Sequence, residues 1–330
     1  MKAIAYSDDK KLQSIEIPVP SPQGHELLVE IKAVAVNPVD IKVRQLVTPE
    51  PGQYKILGWD AAGIVRETGG RVTLFKPGDE VWYAGSIAKD GCFSEFHLVD
   101  ERITGLKPKS LNYAESAALP LTSITAWELL FDRLHVQPES SGSLLIIGAA
   151  GGVGSILTQL AHHLTELTVI GTASRPESRD WVYQMGADHV IDHHRPFLPQ
   201  LNALGIDAID NVASLTHTDQ HFKETAECLA PQGKLALIDD PQQIDITLLK
   251  QKSISLHWEF MYTRPLFNTD DMIKQHQLLN QVSELIDSNQ LHTTLQQRLN
   301  PISKENIEKA FNALASGHTH GKIVLEGWLR

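Results

Sequence analysis

Between Leu144 and Gly154 the chain reads LLIIGAAGGVG. A run of Leu and Ile stops at a cluster of Ala and Gly. A helical pattern, Ser155-Ile156-Leu157-Thr158-Gln159-Leu160-Ala161, follows at once. A buried strand, a tight turn and a helix start, in that order, give a glycine motif its meaning. Small residues let a phosphate approach the backbone. The first N–H groups of the helix have no intrahelical partner and point at it along the favourable end of the dipole. Ala149, Ala150, Gly151, Gly152, Val153 and Gly154 are therefore the expected seat of a dinucleotide. The competing reading is a glycine-rich turn that only joins a core strand to a core helix.

The next strand pattern, 167–172, runs into Ala173-Ser174-Arg175. A site that binds both ribose hydroxyls usually carries Asp or Glu near this strand end, about 20 residues past the glycines. Here no carboxylate stands before Glu177. Ser174 offers a hydroxyl, and Arg175 a forked cation suited to a 2′-phosphate. NADPH is the expected cofactor, with Arg179 on the following turn as a second cationic candidate. A solvated loop arginine is the alternative reading of Arg175.

These residues need a frame. The first third of the chain reads as β-rich, with strand patterns at 27–36, 63–67, 79–83 and 92–99 separated by Gly and Pro turns. The middle third alternates. A helix is expected over 116–134, broken near Pro120. Then come strand 144–147, a helix from Gly152, strand 168–172, helix 177–185 and short strands at 190–191, 208–212 and 234–238. Strands alternating with helices predict a parallel sheet covered on both faces. The last third holds two amphipathic helices, 272–288 and 302–315, the second opening at Ser303, and a closing strand 321–326. The tail is expected to rejoin the first domain.

With 330 residues, 42% hydrophobic and 21% charged, the chain has the composition and length of a two-domain globular protein. Its formal net charge of -11 argues against nucleic acid or anionic lipid as a general partner. No apolar run is long enough to span a bilayer, and the first residues lack the apolar core of a signal peptide. Two cysteines, Cys92 and Cys228, far apart, fit a reducing cytoplasm. Among fifteen histidines the pairs His162-His163, His193-His194 and His318/His320 read as solvated or singly bonded rings, because none has a third ligand at metal-site spacing.

The chain resembles the medium-chain dehydrogenase/reductase superfamily along essentially its whole length. The resemblance is greatest to its zinc-free quinone oxidoreductase branch, which includes zeta-crystallin. It is carried by Val36-Asn37-Pro38-Val39-Asp40, Gly58-Trp59-Asp60-Ala61-Ala62-Gly63, Phe75-Lys76-Pro77-Gly78-Asp79-Glu80-Val81, Leu119-Pro120-Leu121-Thr122-Ser123-Ile124-Thr125-Ala126-Trp127, the 149–154 turn and Gly321-Lys322-Ile323-Val324-Leu325. It implies an α/β protein: a GroES-like β-rich catalytic domain, 1–123 completed by 264–330, and a Rossmann doubly wound parallel sheet domain, 124–263, with a cleft between them. It also implies a homodimer. Thr125 would face the nicotinamide amide. Asn211, after a strand over 208–210, would lie at the carboxyl edge of the sheet. Gly233-Lys234 matches the step before the next strand. Phe260, within Trp258-Glu259-Phe260-Met261, lies beside the nicotinamide or in an apolar interdomain seam. Lys322 joins the implied cofactor contacts.

Zinc alcohol dehydrogenases of this superfamily carry Cys where this chain has Asn37, Gly-His-Glu where it has Gly58-Trp59-Asp60, and another Cys near Leu121. No metal is therefore expected: indole has no in-plane lone pair to give. Without a Lewis acid, alcohol oxidation loses its usual route, while hydride addition to a quinone or an α,β-unsaturated carbonyl needs only alignment and exclusion of water. Four residues are the catalytic candidates. Asn37 would donate to developing enolate or phenolate charge. Asp40 reads as a scaffold residue paired with Arg44, one turn on, rather than a base. Tyr54 is a proton donor, a cover for the acceptor, or an ordinary loop tyrosine. Trp59 would be a flat wall on which a planar acceptor stacks. The expected function is an NADPH-dependent quinone or enone reductase. The alternatives are a zinc-type alcohol dehydrogenase and a non-catalytic NADPH-binding protein, crystallin-like or sensing.

Overall fold

The apolar stretch Glu26–Ala35 forms a ten-residue strand inside a seven-stranded sheet. Its antiparallel partners are Ala61–Thr68 on one side and, on the other, Phe96–Asp100 and the closing strand Lys322–Glu326, so that Val324 lies opposite Ala35. Beyond them the sheet continues through Glu80–Tyr83 and Thr104–Leu106 at one end and Leu295–Leu299 at the other. A three-stranded sheet of Leu12–Glu16, Lys2–Tyr6 and Lys55–Ile56 lies in the same unit. The computed structural model describes residues 1–328. It divides the chain into one unit of Met1–Ile124 with the chain from Tyr262 onward, and a second of Thr125–Met261. The closing strand Lys322–Glu326 buries Ile323, Val324 and Leu325 where it pairs with the strand Glu26–Ala35.

The second unit is a six-stranded, all-parallel sheet. Its strands are β1 (Ser143–Ile147), β2 (Thr168–Thr172), β3 (His189–Ile191), β4 (Ile209–Ser214), β5 (Leu229–Leu237) and β6 (Ser255–Trp258). Their order across the sheet is β3-β2-β1-β4-β5-β6, the doubly wound Rossmann arrangement. Helices α1 (Gly152–Leu164), α2 (Pro176–Gln184), α3 (Phe197–Ala203) and α4 (Thr218–Cys228) connect them. Leu145, Ile147, Ile170, Val212, Leu235 and Leu237 from the strands meet Phe197 and Phe222 from the helices in one buried cluster. Parallel strands covered on both faces read as continuous apolar runs, as β1 does.

Several element bounds differ from expectation. The 116–134 helix resolves into Tyr113–Ala117, Pro120–Trp127 and a π-helical stretch, Glu128–Arg133. Pro120 starts the second piece because a helix tolerates proline in its first turn but not inside. The 92–99 strand is confined to Phe96–Asp100. The strand expected at 208–212 is displaced to Ile209–Ser214, which matters for Asn211. Among the described residues, no helix is long and apolar enough to cross a membrane.

Candidate active site

The glycine turn is built by contacts that leave no room for side chains at some positions and leave others open. Gly148 adopts φ +84°, a conformation that L side chains rarely take. Its N–H donates to Thr172 Oγ1 at 3.0 Å, tying the exit of β1 to the end of β2. A Cβ on Gly154 would lie 2.5 Å from Gly148 O, so only glycine lets α1 start this close to the strand. A Cβ on Gly151 would meet nothing nearer than Gly148 O at 3.4 Å. Ser155 Oγ donates to Gly151 O at 2.7 Å and accepts from Trp181 Nε1 at 2.8 Å, which anchors the first turn of α1 to α2. The first-turn amides of this 13-residue helix then point out of the turn, a cradle that fits a phosphate group.

Ser174 and Arg175 follow β2 after Ala173, and Arg175 is the N-cap residue of α2. Both are partly exposed. Arg179 departs from expectation. Its guanidinium donates to Ala173 O and Val190 O, at 3.3 and 3.0 Å, and braces the β2 and β3 exits instead of facing a ligand. Asn211 also departs. It is the third residue of β4 and pairs with Leu144, the second residue of β1, so the carboxyl edge lies three residues further on, at Ser214. At about 3.3 Å per residue that is roughly 10 Å away, and Asn211 is not an edge residue. Thr125, buried, opens the unit. Phe260, half exposed, lies two residues beyond β6. Lys234 on β5 donates from Nζ to Leu134 O at 2.5 Å.

In the other unit a buried polar cluster joins the two chain ends. Asp60 Oδ1 accepts from Leu121 N at 2.7 Å; its Oδ2 accepts from Asn37 Nδ2 at 2.9 Å and from Lys322 Nζ at 3.0 Å. Lys322 Nζ also donates to Val36 O at 3.0 Å and to Asn37 Oδ1. All three ammonium protons are thereby committed. Lys322 is a buried scaffold cation, and the expectation of a cofactor contact is corrected. Asn37 is corrected likewise: its amide donates inward to Asp60 and, at 3.4 Å, to Trp59 O rather than toward a reacting oxygen. Burial raises the Asp60 carboxyl above the usual range, and the Lys322 charge opposes the shift.

Asp40 is a scaffold residue, but not through Arg44. It caps its own helix, Pro38–Leu46, by accepting from Asn37 N at 2.7 Å, and accepts from Gly58 N at 3.0 Å. Burial pushes its carboxyl up to about 7 against the pull of the Asn37 amide and the Lys322 charge. Arg44 instead makes a forked pair with Glu308, at 3.0 and 2.7 Å. Trp59 is corrected too. It is 0% exposed, its Nε1 donates to Ser86 O at 3.2 Å, and it meets Tyr262 edge-on, so no ring face is open to a stacking acceptor. Tyr54 is 48% exposed.

Sequence reasoning missed Asp60 as the hub of this cluster, although Gly58-Trp59-Asp60 was a matching motif. It also missed a second buried set, in the Rossmann unit. Glu128 and Glu259 are both buried beside Arg133, whose Nε donates to Glu259 at 2.8 Å. Burial first, and Glu128 next, push the Glu259 carboxyl up to about 9.

Two family models match the chain: an alcohol dehydrogenase GroES-like domain over residues 23–109 and a zinc-binding dehydrogenase over 185–325. The zinc-type alcohol dehydrogenase-like protein SAS2087 of Staphylococcus aureus is 38% identical, covering 98% of this chain and 99% of its own. The chloroplastic quinone-oxidoreductase homolog of Spinacia oleracea is 29% identical over 99% of this chain and 98% of its own. A crystal structure from Rhizobium etli CFN 42, described provisionally as a zinc-dependent alcohol dehydrogenase, shares 54% identity with a TM-score of 0.96, covering 100% and 99% of the two chains. Mycobacterial Rv1454c, solved in complex with NADPH, shares 25% identity with a TM-score of 0.85 over 99% and 100%. The fold and site are those of a two-unit, Rossmann-containing oxidoreductase. The chain belongs to the medium-chain dehydrogenase/reductase superfamily, in its quinone oxidoreductase branch.

The word zinc in these descriptions invites a test of the donor set. The resemblance aligns Asn37, Trp59 and Leu121 with the Cys and His ligands of zinc enzymes, and Asp60 already accepts three hydrogen bonds. The Cys92 thiol is buried, raised far above its ordinary value, and directed at Asp60 O. Among the described residues no group of three His, Cys, Asp or Glu side chains is arranged to hold a metal. These residues do not fit a zinc ion.

Proposed function

We propose that this chain is a zinc-independent NADPH oxidoreductase that delivers hydride to a quinone or an α,β-unsaturated carbonyl. One observation carries the reading. The β2 exit, held to the glycine turn through Thr172, presents Ser174 and Arg175 and no carboxylate, the arrangement that favours a 2′-phosphate over a free ribose hydroxyl. The NADPH complex of a related chain supports it. When bound, the nicotinamide supplies the hydride.

The chain's own residues bind and align. The α1 amides hold the pyrophosphate, Arg175 and Ser174 hold the 2′-phosphate, and Thr125 and Phe260 are assigned to the nicotinamide end. Asn37, Asp40, Asp60 and Lys322 act as a rigid support. Tyr54, exposed where the other three catalytic candidates are buried, is the residue left to cover the acceptor or hold a proton for it. An acceptor already electrophilic asks for nothing more than this. A homodimer belongs to the same reading, supported by β6, an edge strand that ends in an exposed Trp258.

The test is turnover with a panel of benzoquinones and short enals in the presence of a chelator, with NADPH and NADH compared. NADPH-driven reduction that survives the chelator and prefers NADPH is expected. Arg175→Ala should lower the NADPH-over-NADH preference at least tenfold, since a hydrogen bond to a charged group contributes about 1.5–3 kcal/mol. An unchanged preference, or activity lost with the metal, overturns the reading.

A further inference from the structure

Four histidines follow the carboxyl ends of two strands of the Rossmann sheet, His193 and His194 after β3 and His217 and His221 after β4. His193 and His194 follow β3, with ring centroids 4.4 Å apart. His221, on α4, lies 6.2 Å from His193 and stacks on Phe197 at 5.4 Å. His217 begins α4 in a left-handed conformation, φ 51° and ψ 37°, and its Nδ1 lies 2.7 Å from Thr216 Oγ1. A non-glycine residue held there is uncommon and costs energy. Thr216 in turn lies against the glycine turn: its Cγ2 would be 2.9 Å from a Cβ on Gly148. The glycine turn and the β4 exit that carries His217 are thus one surface. Arg175 leaves the same edge: Thr172 pairs with Ile191, and Ala173 N donates to Ile191 O at 3.0 Å, so the residues that follow β2 and β3 run out side by side.

We propose that His193, His217 and His221 form, with Arg175, a proton-linked clamp for the 2′-phosphate end of the dinucleotide, so that the preference for the phosphorylated cofactor strengthens as pH falls. The proposal rests on the NADPH reading above and adds residues and a pH dependence to it. The physical cause is mutual. Burial and neighbouring positive rings hold His193 and His221 below the ordinary histidine value, so in the free protein they are neutral around neutrality. A phosphate dianion placed among them reverses that penalty, and each ring that takes up a proton becomes a second charged donor beside Arg175. The other groups facing the cluster are few. Asp192 and Asp219 favour protonation, His194 opposes it, and Asp239 is engaged with the Thr218 amide at 2.9 Å. Arg195 follows on the same loop.

The test is calorimetric titration of the whole protein with adenosine 2′,5′-bisphosphate and with 5′-AMP from pH 8 to 5.5. The 2′-phosphate itself gains a proton near pH 6, which weakens its charge, so a site without titrating partners would lose preference on acidification. In the native protein the bisphosphate-to-AMP affinity ratio should instead rise about tenfold. In His193→Gln with His217→Gln it should stay flat or fall. A second measurement needs no variant: at pH 6.5, in two buffers of different ionisation heat, bisphosphate binding should take up protons that AMP binding does not. If the bisphosphate binds more tightly than AMP but without proton uptake or a rising ratio, the clamp is refuted and the NADPH reading stands. If the bisphosphate is never the tighter ligand, both fall.

Discussion

The Lys322 ammonium lies 3.0 Å from Asp60 Oδ2 with both side chains buried, and the two residues are 262 apart in the chain. This pair fastens the closing strand to the strand that begins at Ala61, beside the turn that carries Asn37. It places a fixed cation and a fixed carboxylate together in a buried position. The two charges satisfy one another and their neighbours, so the arrangement supports backbone geometry rather than proton transfer.

Removing one partner should therefore cost more than removing both. Lys322→Met leaves Asp60 buried with its charged donor gone, a loss on the order of 3–5 kcal/mol. Adding Asp60→Asn to it removes the orphaned charge and should recover a large part. Thermal denaturation of the two single variants and the double variant measures this. Equal losses in Lys322→Met and in the double variant would show that the pair is not the support described.

How much of this was legible in sequence depends on the range of the interaction. The glycine turn was visible because strand, turn and helix start are contiguous, and the closing strand because Ile323, Val324 and Leu325 form an apolar run. Asp40 and Arg44 show where local rules fail. Their spacing favours an ion pair one helical turn apart, yet Arg44 pairs with Glu308, 264 residues on, and Asp40 turns to backbone amides. Asn211 was misplaced by a small displacement of one strand, enough to turn an edge residue into an interior one. Asn37 was expected to donate to developing charge and Trp59 to stack on a planar acceptor, but burial, which decides whether they meet a ligand, is not written in residue type. Only one pair of the histidine cluster is adjacent in sequence; His217 and His221 join it through packing of α3 against α4.

The glycine turn makes a prediction that separates two neighbouring glycines. Gly154→Ala places a methyl 2.5 Å from Gly148 O and 2.6 Å from Ala149 Cα, both backbone atoms with no freedom to yield. The start of α1 must move, at a cost of about 1–3 kcal/mol, and NADPH affinity should fall at least tenfold because the cradle amides move with it. Gly151→Ala meets Gly148 O at 3.4 Å, an ordinary contact, and should fold with unchanged stability. Thermal denaturation and cofactor titration of the two variants side by side decide the matter. Equal stability would show that close approach of helix and strand is not what the third glycine supplies.

The buried carboxyls Glu128 and Glu259 predict how stability responds to alkali. Glu259, pushed up to about 9 by burial and by Glu128, is protonated in the folded protein at neutral pH, whereas in the unfolded chain it ionises near 4.3. The folded state then binds more protons over that interval. This contribution is fully present below the unfolded value and is lost progressively as pH rises to about 9. Arg133 donates to Glu259 at 2.8 Å and compensates one negative charge, not two. Glu259→Gln supplies an uncharged side chain of nearly the same shape, whose amide can donate where the shared proton did. Between pH 6 and 9.5 the wild-type denaturation temperature should fall by several degrees more than that of Glu259→Gln, and the variant should be the more stable protein at the alkaline end. Parallel curves for the two proteins would mean that Glu259 is already ionised in the fold, paired with Arg133, and that the proton resides elsewhere.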